Sequence, residues 1–275
     1  MKYFLSVISI LLGSIGAVAA QDSALHFNKA VEHYRANRLE DALSEFGLAR
    51  KASSNDPLIC NWIGFVSLRL GRNDEAIEPL EAAVRIRSNY GEAWTNLGNG
   101  LLNLKRGPEA VSAFKKAVQL DPKSADNHYN LGRAYTKLNQ LNDAIIEFRS
   151  AATIKPNDHF VQNMLGYALY QSGKPVEAIS AYEKATRLMP LNGSYWTNLG
   201  LAYLEGKQYS QARSALNKAV TIDPDMVDAR IALGEALIRL KLDSDALPHY
   251  ERASQLNPRD YSVSLTLGAL HGRLG

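Results

Sequence analysis

Trp94-Thr95-Asn96-Leu97-Gly98 is spelled again, residue for residue, at Trp196-Thr197-Asn198-Leu199-Gly200. The copies start 102 residues apart, which is three times 34, and looser versions ending in Asn130-Leu131-Gly132 and Met164-Leu165-Gly166 fill the two multiples between them. A 34-residue unit is therefore repeated. In such arrays each unit buries its apolar face on its neighbours, so the length of 275 residues counts repeats rather than globular domains.

With Trp94 at position 4, the frame extends along the chain. Position 8 reads Ala30, Gly64, Gly98, Gly132, Gly166, Gly200, Gly234 and Gly268. Positions 20 and 27 are alanine in all seven full units, from Ala42 and Ala49 to Ala246 and Ala253. Position 24 is always large: Phe46, Leu80, Phe114, Phe148, Tyr182, Leu216 and Tyr250. Small columns let two antiparallel helices, and the first helix of the next unit, approach closely, and the large column fills what they leave. Apolar pairs such as Leu131 with Tyr135 and Leu199 with Tyr203 give a first helix over about positions 1–14 and a second over about 18–30. Gly71, Asn139 and Gly173 suit a left-handed turn between them. Prolines at position 32 (Pro122, Pro156, Pro190, Pro224, Pro258) end the second helix, and position 34 supplies N-caps at Asp56, Ser124, Asp158, Asn192 and Asp260. Pro79 and Pro248 break the pattern inside second helices, where a solvent-side bend is expected.

These columns resemble the tetratricopeptide repeat family across residues 23–275. The resemblance implies an all-α, right-handed superhelical solenoid of antiparallel helix pairs. The frame divides residues 21–260 into seven full repeats starting near 23, 57, 91, 125, 159, 193 and 227, with residues 261–275 as the terminal helix of an unfinished eighth. That last helix carries Val263, Leu265, Leu267, Leu270 and Leu274, more apolar surface than a capping helix needs, so a homo-oligomer contact with a second copy through it is expected.

Residues 1–20 stand outside the period. Lys2, an apolar run from Phe4 to Leu12 and a small-residue end at Ala17-Val18-Ala19-Ala20 match a secretory signal peptide cleaved after Ala19 or Ala20. A retained membrane anchor is the rival reading, and only then would the chain have a membrane partner. It is disfavoured because Ser9, Gly13, Ser14 and Gly16 interrupt a run close to the lower spanning limit of about 17 residues. The expected location is outside the cytosol, periplasmic in a Gram-negative bacterium and otherwise secreted. Cys60 is the only cysteine, so the fold holds by packing without an internal disulfide. Thirty-one Lys and Arg against 28 Asp and Glu leave +3, dispersed along the chain, which argues against nucleic acid as a partner.

Chemistry-bearing patterns are missing. The six histidines make no ligand-spaced pair, no phosphate-cradling glycine loop occurs, and no Gly-x-Ser-x-Gly elbow is present. The chain is read as a non-enzyme with no cofactor and no metal. Asn192-Gly193-Ser194 is a glycosylation acceptor, meaningful only after export through a eukaryotic pathway.

The resemblance also implies where a partner would sit. In the family the first helices line a concave groove into which positions 2, 5, 6, 9 and 13 point. At position 6 stand Asn28, Asn96, Asn130 and Asn198, similar to the asparagine ladder with which peptide-binding members hold an extended backbone, since an amide both donates and accepts. Tyr129, Arg133 and Tyr167 join them as candidate groove residues. The pattern of the chaperone carboxylate clamp is not met, because position 5 holds Phe27, Asn61, Thr95, Tyr129, Asn163, Thr197 and Ile231. The function expected is a scaffold or adaptor binding an extended protein segment, in envelope, pilus or secretion assembly. The alternatives are the substrate-recruiting subunit of a separate enzyme, such as a glycosyltransferase, and a membrane-anchored adaptor.

Overall fold

A computed structural model describes residues 20–275. The leader read at residues 1–20 lies, except for Ala20, outside the described residues. Among those described there are helices and no strand. Helix α1 covers 20–35 and is followed by α2 (Leu39–Ala52), α3 (Pro57–Arg69), α4 (Asn73–Ile86), α5 (Gly91–Asn103), α6 (Gly107–Leu120) and α7 (Ala125–Lys137). The series continues with α8 (Leu141–Ile154), α9 (His159–Gln171), α10 (Pro175–Leu188), α11 (Gly193–Glu205), α12 (Tyr209–Ile222), α13 (Val227–Arg239), α14 (Asp243–Leu256) and α15 (Tyr261–Leu274). In the 34-residue frame the first helices α3 to α13 occupy positions 1–13 and the second helices positions 17–30.

The chain divides into two compact units, one ending at Leu138 and one running from Asn139 to Gly275. Within each, every helix packs on the next, and neighbouring first helices also touch: α3 with α5 and α5 with α7 in the first unit, α9 with α11 and α11 with α13 in the second. Second helices are joined by long side chains instead. Arg50 of α2 makes a two-pronged bond to Glu78 of α4 at 2.7 and 2.8 Å, and Arg149 of α8 pairs with Glu177 of α10. First helices standing closer together than second helices put the first-helix face on the inner side of each unit.

Five glycines of position 8 owe their place to one side chain each. A Cβ built on Gly64, Gly98, Gly166, Gly200 or Gly234 would come within 2.3–2.7 Å of Leu80, Phe114, Tyr182, Leu216 or Tyr250, always the residue at position 24 of the same unit. Ring or isobutyl group thus lies directly on helix backbone, which is how the large column fills the space left by the small one.

The turns between paired helices follow one design. Position 15 is left-handed at Asn37, Gly71, Lys105, Asn139, Gly173, Lys207 and Lys241, with φ between 57° and 75°. Bonds such as Arg72 N–H to Ser67 O at 2.9 Å and Leu242 N–H to Leu237 O at 2.9 Å close the Schellman pattern that satisfies the last carbonyls of the first helix. Three of these positions are lysine, which holds the conformation against its own preference. Lys241→Gly is expected to stabilise the second unit by about 1 kcal/mol in urea unfolding, while Lys218→Gly, inside a helix, should cost a similar amount.

Helix starts follow the position-34 residues. Asp56, Ser124, Asp158, Asn192 and Asp260 each accept a bond from a backbone N–H two or three residues on, whereas Tyr90 and Met226 make none. Pro79 and Pro248 both lie within continuous helices. Pro248 is exposed, in keeping with a solvent-side position; Pro79 is buried, contrary to that expectation, because position 23 of α4 faces the neighbouring first helices. On α15, Val263 and Leu270 are buried against the core that includes Leu233 and Tyr250, while Leu265 is 78% exposed. No helix among the described residues is long and apolar enough to cross a membrane.

Candidate functional site

Positions 5, 6 and 9 form the first-helix face, and position 4 lies beside it, against the preceding repeat. Position 4 fastens the joint between units. Trp94 Nε1 donates to the Ser88 carbonyl at 2.8 Å, His128 Nε2 to Pro122 at 3.1 Å, Gln162 Nε2 to Pro156 at 3.0 Å and Trp196 Nε1 to Pro190 at 2.8 Å, and Arg230 Nε reaches the Pro224 carbonyl. In each case the acceptor lies six residues earlier, at position 32. Four chemically different side chains perform one function, which is why no residue column announced it.

Positions 5 and 6 tie neighbouring units together. Asn96 Nδ2 donates to Asn61 Oδ1 at 2.9 Å, and Asn61 Nδ2 in turn reaches Tyr90 Oη at 3.1 Å and Glu92 Oε1 at 3.3 Å. In the second unit Asn198 Nδ2 donates to Asn163 Oδ1 at 3.0 Å, the same pair 102 residues on. Asn61 is buried and Asn96 nearly so, at 1% and 9% exposure, so this amide pair is part of the packing. Thr95 Oγ1 lies 3.1 Å from both the Gly91 carbonyl and Asn127 Oδ1, and Thr197 Oγ1 is bonded to the Gly193 carbonyl at 3.0 Å. The threonines of the twice-used stretch, placed towards the groove by the frame, therefore also point to neighbours.

Other candidates are more open. Asn28 is exposed on α1, and Tyr167 is exposed on α9. On α7 three of them form one cluster: Arg133 Nη1 donates to Asn130 Oδ1 at 3.1 Å while its guanidinium carbon stands 5.8 Å from the Tyr129 ring centre. All three are half-buried. Beside them, between the C-terminal ends of α5 and α7, opens a cavity of about 620 Å³. Asn103, Lys105, Arg133 and Lys137 supply its polar wall, Leu102 and Leu138 its apolar one, and no carboxylate lines it.

Phe27 and Phe65, near the same face, are packing residues. Phe27 meets Phe46 edge-on at 5.5 Å, Phe46 stacks on Trp62 at 5.4 Å, and Trp62 meets Phe65 at 5.7 Å. Trp62 takes the place that asparagine holds in other units, and it joins the first repeat to the second. Cys60 is wholly buried, and burial pushes its thiol above the ordinary range. Among the described residues no group of three or more His, Cys, Asp or Glu could hold a metal ion.

Family models described as tetratricopeptide repeat match residues 27–92, 64–125 and 163–227, and a second such model matches 101–166. No curated protein sequence matches the chain. Among solved structures, the C-terminal part of a TPR repeat-containing protein from Cytophaga hutchinsonii is similar with a TM-score of 0.71 at 17% identity, covering 86% of this chain and 97% of that one. PilF of Pseudomonas aeruginosa gives 0.65 at 18%, covering 78% and 97%. YrrB, described as a TPR protein with an unusual peptide-binding site, gives 0.62 at 20%, covering 69% and 97%. These likenesses show a common fold.

Proposed function

Because the chain belongs to the tetratricopeptide repeat family, we propose that it is a non-catalytic protein–protein interaction scaffold that holds an extended segment of a partner on its first-helix face. The observation that carries this is the Tyr129–Asn130–Arg133 cluster, whose Arg133 also lines the carboxylate-free cavity with Lys105 and Lys137. An extended segment offers backbone amides to Asn130 and a carboxylate to the guanidinium and ammonium groups, while an aromatic wall at Tyr129 takes an apolar side chain. Asn96 and Asn198 serve this face by fixing the spacing of the helices beneath it.

The leader-like sequence of residues 1–20 supports export, and with it a role in envelope, pilus or secretion assembly. The test joins both parts. A photo-crosslinking residue in place of Tyr129, in the exported protein, is expected to capture a discrete partner, and Arg133→Glu with Lys137→Glu to lower its yield by at least about tenfold through charge reversal. Unchanged capture in that variant would refute the first-helix face as the binding surface. N-terminal sequencing of the same material should begin at Ala20 or Gln21; a start at Met1 would favour the retained membrane anchor over cleavage.

A further inference from the structure

Two cavities in this chain are built from the same positions of the frame, one in each unit. In the first, α4, α5 and α6 border an open pocket of about 530 Å³, with Trp94, Leu97 and Ala113 as an apolar wall and Arg85 and Lys116 among its lining. In the second, α10, α11 and α12 border an open pocket of about 300 Å³. There Trp196, Leu199, Ala215, Arg187 and Lys218 repeat all five side chains 102 residues on. The second is the smaller, and Tyr203 stands in it where the first has Leu101.

The match goes beyond what the joint between repeats requires. The joint between units needs only a donor at position 4, and His128, Gln162 and Arg230 meet that need without an indole ring. Tryptophan occurs at position 4 only in the third and sixth repeats, and arginine at position 29 only in the repeats just before them. Both indoles are anchored by their N–H, which leaves the ring fixed as a wall of the cavity.

The charges at the mouth set the chemistry. In the first cavity Glu109 is held in a fork by Arg106, at 2.5 and 2.7 Å. In the second, neutral Gln211 takes the place of Glu109, and Glu183 accepts the Tyr203 hydroxyl at 2.6 Å. Among the described residues neither Arg85 nor Arg187 makes an ion pair. Lys218 Nζ stands 4.1 Å over the Trp196 ring, which holds an ammonium at the mouth. Arg85, Arg106 and Lys116 stand against Glu81 and Glu109 in the first site, and Arg187 and Lys218 against Glu183 in the second, so each keeps an excess of one positive charge.

We infer that each cavity seats one aliphatic side chain of a partner protein, flanked in the partner's sequence by Asp or Glu, so that the chain takes the same short motif at two places outside its first-helix face. The three indole N–H signals of the protein, Trp62, Trp94 and Trp196, provide the readout once assigned by single Trp→Phe variants. Titration with acetyl-Gly-Asp-Leu-Asp-Gly-amide should shift the Trp94 and Trp196 signals saturably and leave Trp62, locked in its aromatic cluster, in place. Lys116 and Lys218 are exposed, so Lys116→Glu and Lys218→Glu should retain the fold. Each is expected to weaken the response at its own tryptophan by at least about tenfold and to spare the other. The same peptide with Lys for Asp should bind more weakly at both. No saturable shift, a response at one cavity alone, an equal shift at Trp62, or indifference to the charge reversals would each overturn the assignment.

Discussion

Phe114→Ala is expected to destabilise the first unit by about 3–5 kcal/mol, the range for removing a fully buried aromatic ring. Phe114 is wholly buried and lies on the backbone of Gly98, so α5 has no side chain there that could swing into the void. Phe114→Leu should cost much less, since leucine already holds the same position at Leu80 and Leu216. In a linear array the damage should also be local. Hydrogen exchange should show lost protection in α5 and α6 and in the adjoining α4 and α7, with Asn139–Gly275 unchanged. A uniform loss across both units would mean that the protein unfolds as one cooperative block.

The contact between positions 8 and 24 predicts a second large effect, visible as non-additivity. A Cβ on Gly200 would lie 2.4 Å from Leu216 Cγ, closer than real atoms come. Gly200→Ala is therefore expected to cost about 1–3 kcal/mol by overpacking, even though alanine favours a helix over glycine by about 1 kcal/mol. Leu216→Ala should cost about 2–5 kcal/mol by leaving a cavity. The double variant should be more stable than the sum of the two by at least about 1 kcal/mol, because the new methyl enters the space that leucine vacates. Strict additivity in urea unfolding would show that the two residues do not interlock.

How much of this was legible in the sequence depends on whether a role needs one residue type or several. Glycine at position 8 facing a large residue at position 24 is a steric pair with few solutions, so it recurs and exposes the 34-residue period. The bond from position 4 to position 32 is met by tryptophan, histidine, glutamine and arginine alike, and no repeated letter reveals it. Left-handed turns were readable at Gly71, Asn139 and Gly173 but not at Lys105, Lys207 and Lys241, where the backbone bonds that close the turn hold lysine against its preference. The position-6 asparagines were visible as a column; that Asn96 and Asn198 donate to Asn61 and Asn163 was not, because those acceptors lie 35 residues earlier at a different position of the frame. The paired cavities were hidden for a similar reason, since each takes its walls from three helices in two repeats.

The joint between units also acts as a ruler. Five donors at position 4 each reach a carbonyl six residues back, whether the donating atom belongs to an indole, an imidazole, an amide or a guanidinium. The material of the fastening varies and its span does not. A residue added or removed between the two ends would break the bond, so at these five joints the fastening fixes the phase of one repeat against the next.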